Sequence, residues 1–131
     1  MRRRTDRGSA VAEFVMVSGL VVLLGMGVFQ LGLVVYVRNT LIAAAAEGAR
    51  TGAHADAAAG DAVARTTGFI SDTLPAAYAR QVSSTRSRTS QGVAVVEVTI
   101  EAPVPVIGLL GPAGTMTITG RAFDERQVSA P

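Results

Sequence analysis

The 131-residue chain contains no cysteine, no lysine, a single histidine and few aromatic residues. Without cysteine there is no disulfide, no thiolate metal ligand and no thiol nucleophile. An exported chain of this composition is still feasible, but it must fold without covalent staples. All twelve basic residues are arginine. G-x-S-x-G, the Walker phosphate loop and H-E-x-x-H are also missing. No spaced carboxylate pair offers an acid/base couple. These absences remove most enzyme classes, and no cofactor is implied.

The sequence pI of about 9.9 invites a nucleic-acid reading. The distribution of charge argues against it. Arg2, Arg3, Arg4 and Arg7 face only Asp6 in the first eight residues, whereas eight arginines face nine acids in the remainder. A phosphate-binding surface needs cations clustered on the folded domain. Arg80, Arg86 and Arg88 are the nearest approach to such a cluster, and they are sparse. Nucleic acid is therefore not among the expected partners.

Charge is scarcest between Phe14 and Val37, where "FVMVSGLVVLLGMGVFQLGLVVYV" runs for 24 residues without an ionisable acid or base of the Asp, Glu, Lys or Arg type. As a helix this covers roughly 36 Å, against about 30 Å of bilayer hydrocarbon. Only Ser18 and Gln30 are clearly polar, too few for the wet face of a soluble helix. The run predicts one transmembrane helix in contact with lipid, with Tyr36 near the interface. Four arginines precede the span within seven residues, so the positive-inside rule puts the N-terminus in the cytoplasm and the C-terminal region outside. A secretory signal peptide cut near Ala43–Ala46 is the rival reading. The apolar region is longer than such peptides carry, and Arg38 interrupts it.

Ser18, Gly25 and Gly32 recur at steps of seven and form a slowly drifting stripe of small residues. Such a stripe lets another helix approach closely. Gln30 offers an amide for bonding across a helix interface, worth about 0.6–2 kcal/mol.

Beyond the span, "RNTLIAAAAEGARTGA" continues as helix on its alanine content, with Glu47 and Arg50 spaced to pair. Gly48 and Gly52 weaken it, so a kink or fray is expected near Gly52. "DAAAGDAVARTTGF" reads as more helix, either continuous with the first or separated by a break around Thr51–Ala55. Asp61 and Arg65 stand in the favoured order for an i, i+4 pair. Asp72 or Thr73, before Pro75, is positioned to start another short turn. His54 and Asp56 are two apart, which puts them on different helix faces and not in a shared metal site.

From Arg80 onward the period changes. "VAVVEVTIEA" alternates, with Ala94, Val96, Val98 and Ile100 on one face, as in a half-buried strand. "TMTITGRAF" alternates likewise. "QVSSTRSRTSQG" has weaker strand character and ends in a turn signal. "GLLGPAG" is a turn-forming loop after the strand-stopping Pro103 and Pro105. The helical stretch around Leu41 and Ile42 is placed to cover the strands. "DERQVSAP" is polar and reads as a fraying tail. The fold class is α+β: a long N-terminal transmembrane helix continues into an extracytoplasmic helical stretch, packed with an antiparallel sheet of about three strands. The expected division is a basic leader (1–8), the transmembrane helix (9–37), an extracytoplasmic helical region (38–70) and a small β-rich region with a polar tail (71–131). With so small a soluble portion, stabilisation by neighbouring subunits is expected.

The opening residues can now be placed. A basic leader ends in Gly8, "SAVAEF" follows with Glu13 five positions on, and then the span begins. This looks like a type IV prepilin leader. Within that group "RGSAVAEF…LVVYVRNTLIAAAAEGAR" resembles the TadE-like family of pseudopilins of the Flp-type (Tad) pilus system, over roughly residues 7–53. "TMTITGRAF" resembles the weak strand that often ends that family. The resemblance implies a structural or assembly role, not catalysis. It implies a prepilin peptidase cutting between Gly8 and Ser9 on the cytoplasmic side, and a role for Glu13 as the acidic residue near the mature N-terminus. Other pilins or pseudopilins and the assembly machinery would be the partners. Phe14 stands where major Flp pilins often carry Tyr, and the chain exceeds the usual very short major pilin; both point to an accessory or minor pilin. After such a cut the Ser9 amine would lie four residues before Glu13, about 6 Å along the helix and on the same face. A carboxylate at the hydrocarbon edge is costly unless paired. The alternative from another class is an uncleaved, signal-anchored binding or adhesion module.

Overall fold

A computed structural model describes residues 5–107 and 114–128. Helix α1 spans Thr5–Ala53 and helix α2 Asp61–Thr73. Strands β1 (Gln81–Arg88), β2 (Ala94–Pro103) and β3 (Thr115–Phe123) form one antiparallel sheet in the order β1-β2-β3. Short 3-10 turns occupy Ala76–Ala79 and Glu125–Gln127. The architecture is the α+β class expected from the sequence. The loop read from "GLLGPAG" lies outside the described residues except for Gly114.

The chain divides into two compact units, Met1–Leu33 and Val34–Pro131. Through the first unit α1 leaves its large apolar side chains uncovered: Phe14, Met16, Leu20, Leu24 and Leu31 are all more than half exposed.

In the second unit, α1 buries Val37, Leu41, Ala44, Ala45, Ala49 and Ala53. These positions recur at three and four, the spacing of one helix face. Leu41 and Ile42, both expected to cover the strands, part company here. Leu41 is fully buried, but Ile42 is 43% exposed, because the next residue on a helix points about 100° away. Against this face pack Ala62, Thr66 and Ile70 of α2 and Val96, Val98, Ile100 and Ala102 of β2, with Ile118 of β3. Each large aliphatic among them contributes about 1.5–3 kcal/mol by leaving water. β1, by contrast, buries no side chain and is a polar edge strand.

Alanine and glycine on α1 let its neighbours approach its backbone. A Cβ on Gly48 would overlap the Thr66 hydroxyl and stand 2.8 Å from the Ala62 carbonyl oxygen. Gly48 weakens the helix by propensity, yet its missing side chain is what admits α2.

The helical pattern breaks between Ala53 and Asp61. Residues 56–60, read as helix from their alanines, are not helical. Gly60 precedes α2 with φ 101°, and the Asp61 carboxylate accepts the Ala58 N–H at 2.7 Å. Asp61 is thus engaged locally, and Arg65 does not pair with it. Arg65 reaches across to Glu47 Oε1 instead, donating from Nε at 3.3 Å and Nη2 at 3.0 Å. Glu47 also keeps the expected contact with Arg50, at 3.7 Å. Asp72 and Thr73 do not start a turn; they end α2, and the short turn begins after Pro75.

Candidate functional site

All of the residues singled out near the N-terminus lie on α1. Gly8, Ser9, Glu13 and Phe14 are exposed, and Ser9 and Glu13 are separated by about one helical turn. Ser18, Gly25 and Gly32 follow the drifting stripe. Gly25 and Gly32 are exposed, and a Cβ on either would meet nothing within 4 Å. Gln30 does not join this stripe. It stands two positions before Gly32, so it projects about 160° away around the helix; Gly27, three residues back, is its neighbour. The segment therefore carries two distinct surfaces: a small-residue stripe, and an amide-bearing side.

Described residues of the first unit comprise no second element to cover these surfaces. One helix, Gly8–Ala53 in its described part, is long and apolar enough to cross a membrane. What such a segment can do chemically is limited to packing against lipid or another helix, and to presenting one carboxylate near its start.

The second unit carries polar contacts that no local pattern announces. The end of α1 and the break after it leave backbone carbonyls without helical partners, and arginines far away in sequence supply them. Arg86 on β1 donates to the Gly52 carbonyl at 3.1 Å. Arg126 in the C-terminal turn donates from Nε to the Ala55 carbonyl at 3.1 Å and from Nη2 to the Ala57 carbonyl. Between the two arginines sits the nearly buried Asp124, whose Oδ2 is 3.4 Å from Arg86 Nε. Positive groups at a helix C-terminus also complement its dipole. The Gln127 side chain adds bonds to both the N–H and the carbonyl of Ala94. Residues 124–128, read from sequence as part of a fraying tail, are thus fastened to the sheet and to the break that follows α1.

His54 Nδ1 stands 3.4 Å from Glu125 Oε1, with both side chains more than half exposed. No group of three or more His, Cys, Asp or Glu placed to hold a metal occurs among the described residues. A cleft of about 250 Å³ lies between the break and the sheet, lined by Gly52, Ala58, Gly60, Ser84, Arg86 and Val96. Its cation, Arg86, is already engaged by Asp124 and Gly52. Neither a nucleophile–base pair nor a carboxylate couple converges there.

Residues 8–50 match the family model described as TadE-like protein. The matched segment opens on Gly8 and closes on Arg50, within α1. No curated protein and no solved structure matches the chain.

Proposed function

From a TadE-like segment that occupies residues 8–50, we propose that this membrane-anchored chain is a minor pilin or pseudopilin. It acts as a non-catalytic structural or assembly component of a Tad (Flp-type) pilus or secretion system. The observation that carries this reading is that the match begins at Gly8, where the basic leader meets the apolar run, and continues through the run.

On this reading a prepilin peptidase removes residues 1–8 and leaves a new amine on Ser9. Glu13, one turn further on, neutralises that amine in the same chain or in a neighbouring subunit, which relieves the cost of a lone carboxylate at the hydrocarbon edge. The charge asymmetry around the span supports a cytoplasmic N-terminus and an extracytoplasmic second unit. Phe14 and the stripe of Ser18, Gly25 and Gly32 pack against the helices of neighbouring pilins, and Gln30 serves a second helix on the other side.

N-terminal sequencing of membrane-extracted protein, after co-expression with the peptidase, tests this. The expected first residue is Ser9. Retention of Met1 would overturn the maturation step. Glu13→Ala is expected to leave cleavage in place and to abolish incorporation into the assembly; unchanged incorporation would remove Glu13 from its role.

A further inference from the structure

The second unit has a definite end at which α1 enters it, and several chain segments converge there. Their placement follows from contacts along α1. Gly52 lies against Ala62 and Val96, and Gly48 against Thr66. α2 therefore runs back along α1, antiparallel to it. Its last turns reach the entry end, where Phe69 and Thr73 line a shallow groove of about 430 Å³ with Tyr36, Asn39, Thr40 and Ala43.

The sheet runs the same way. Val96 is level with Gly52, while Gly120, paired with Val98, lies on Ala45. From Val98 to Pro103 the strand advances about 16 Å at 3.3 Å per residue, the rise of about eleven helical residues. Eleven residues back from Ala45 is the start of the unit, at Val34. The end of β2, with the described residues 104–107 that follow it, is thus brought to the level of Val34–Arg38. Val104 N–H donates to the Gly114 carbonyl at 3.1 Å, which closes the base of the β2–β3 connection. Pro103 and Thr115 line one cleft with Arg80, so the 3-10 turn and the start of β1 share this end too.

What this end presents is distinctive. Val35, Tyr36 and Ile107 are each about half exposed, and Val104, Val106 and Phe69 are partly so. Arg38 and Arg80 are exposed cations; Asp72 and Glu101 are the exposed acids of the same region. Aromatic rings, arginines and scattered aliphatics are the side chains that suit a headgroup layer, where rings and long stems bury carbon and keep their polar ends wet. The apolar run of α1 continues into this end without interruption up to Val37. Phe123 and Val128 are also strongly exposed, but Phe123 pairs with Val95 near the far end of the sheet and has no such continuity.

We propose that the α1-entry end of the second unit, with Tyr36, Phe69, Arg80 and Ile107, rests on the lipid headgroup layer as a membrane contact additional to the span. This rests on the membrane-anchored reading above, and the test separates the two.

The absence of native cysteine makes single-cysteine labelling clean. Full-length Val22→Cys, Thr73→Cys, Ile107→Cys and Gln91→Cys variants each carry an environment-sensitive fluorophore in vesicles of phosphatidylcholine and phosphatidylglycerol. Lipids bearing a quencher in the acyl chain or at the headgroup report depth. The expected result is strong acyl-chain quenching at 22. Headgroup quenching at 73 and 107 should be several-fold above that at 91, in the β1–β2 turn. Quenching at 73 and 107 no greater than at 91 would overturn the surface contact while leaving the span intact. No quenching at 22 would overturn the anchor, and the surface contact with it.

Discussion

Gly120 lies directly over the peptide joining Ala45 to Ala46: a Cβ built on it would stand 2.6 Å from the Ala45 carbonyl oxygen and 2.7 Å from the Ala46 nitrogen. Backbone on both sides leaves no flexible side chain to yield. Gly120→Ala is expected to destabilise the second unit by about 1–3 kcal/mol through overpacking. Thr119→Ala, on the exposed side of the same strand, should stay within about 0.5 kcal/mol of the parent. Thermal melts of the full chain in detergent decide this, and equal melting of Gly120→Ala and parent would refute the close approach.

Thr66 is fully buried and its hydroxyl donates to the Ala62 carbonyl at 2.8 Å, beside Gly48. Gly48→Ala should destabilise by driving α2 off α1. Thr66→Ala alone costs a hydrogen bond and some packing, about 1–2 kcal/mol. Combined, the two changes should cost less than their sum, because Thr66→Ala removes the nearest obstacle. Relief stays partial, since the Ala62 carbonyl oxygen remains 2.8 Å from the added carbon. Strict additivity in a double-mutant cycle would sink this account.

The fastening of residues 124–128 has a separable consequence. Arg126→Ala removes both bonds to the carbonyls of Ala55 and Ala57. Asp124→Ala deprives Arg86 of its carboxylate and the Arg126 N–H of its acceptor. Each should cost about 1–3 kcal/mol and speed limited proteolysis around residues 54–60. Proteolysis unchanged in both variants would show that the C-terminal turn does not hold the break between the helices.

Tyr78 supplies a pH dependence. Burial raises its phenol above the ordinary value of 10.0 by disfavouring the phenolate. The folded chain therefore holds this proton at pH values where the unfolded chain has lost it. Its contribution to stability is complete below pH 10.0, falls as pH rises through the folded-state value, and changes no further above that. With Tyr36→Phe, Tyr78 is the only tyrosine left, and its phenolate absorbance should titrate at higher pH in the folded protein than in urea. Coincident titrations would contradict the burial.

Much of the fold was legible because it follows from local patterns. The uncharged run has no alternative to a long apolar helix, and "VAVVEVTIEA" alternates with the period of a strand. The exposed apolar surface of α1 was equally legible, since the residues that make it are consecutive in the chain. The partners of Arg65, Arg86 and Arg126 were not. Arg65 has a well-placed acid four residues away in Asp61 and still binds Glu47, eighteen residues off, because Asp61 is engaged in the turn before α2. Arg126 reaches carbonyls about seventy residues earlier, and a backbone carbonyl leaves no trace in residue type.

By itself, the sequence determined that a charge-free helix long enough for a bilayer follows a basic N-terminal stretch, and that a small sheet follows the helices. Hydropathy and periodicity are sums over neighbours, so no tertiary information was needed. Only the tertiary structure decided which glycines are contacts and which are open. Gly25 and Gly32, on the stripe, meet nothing within 4 Å, whereas Gly48 and Gly120 bear the closest approaches of α2 and β3 to α1. A glycine's significance lies in what occupies the space its side chain lacks, and that space is filled by segments distant in sequence.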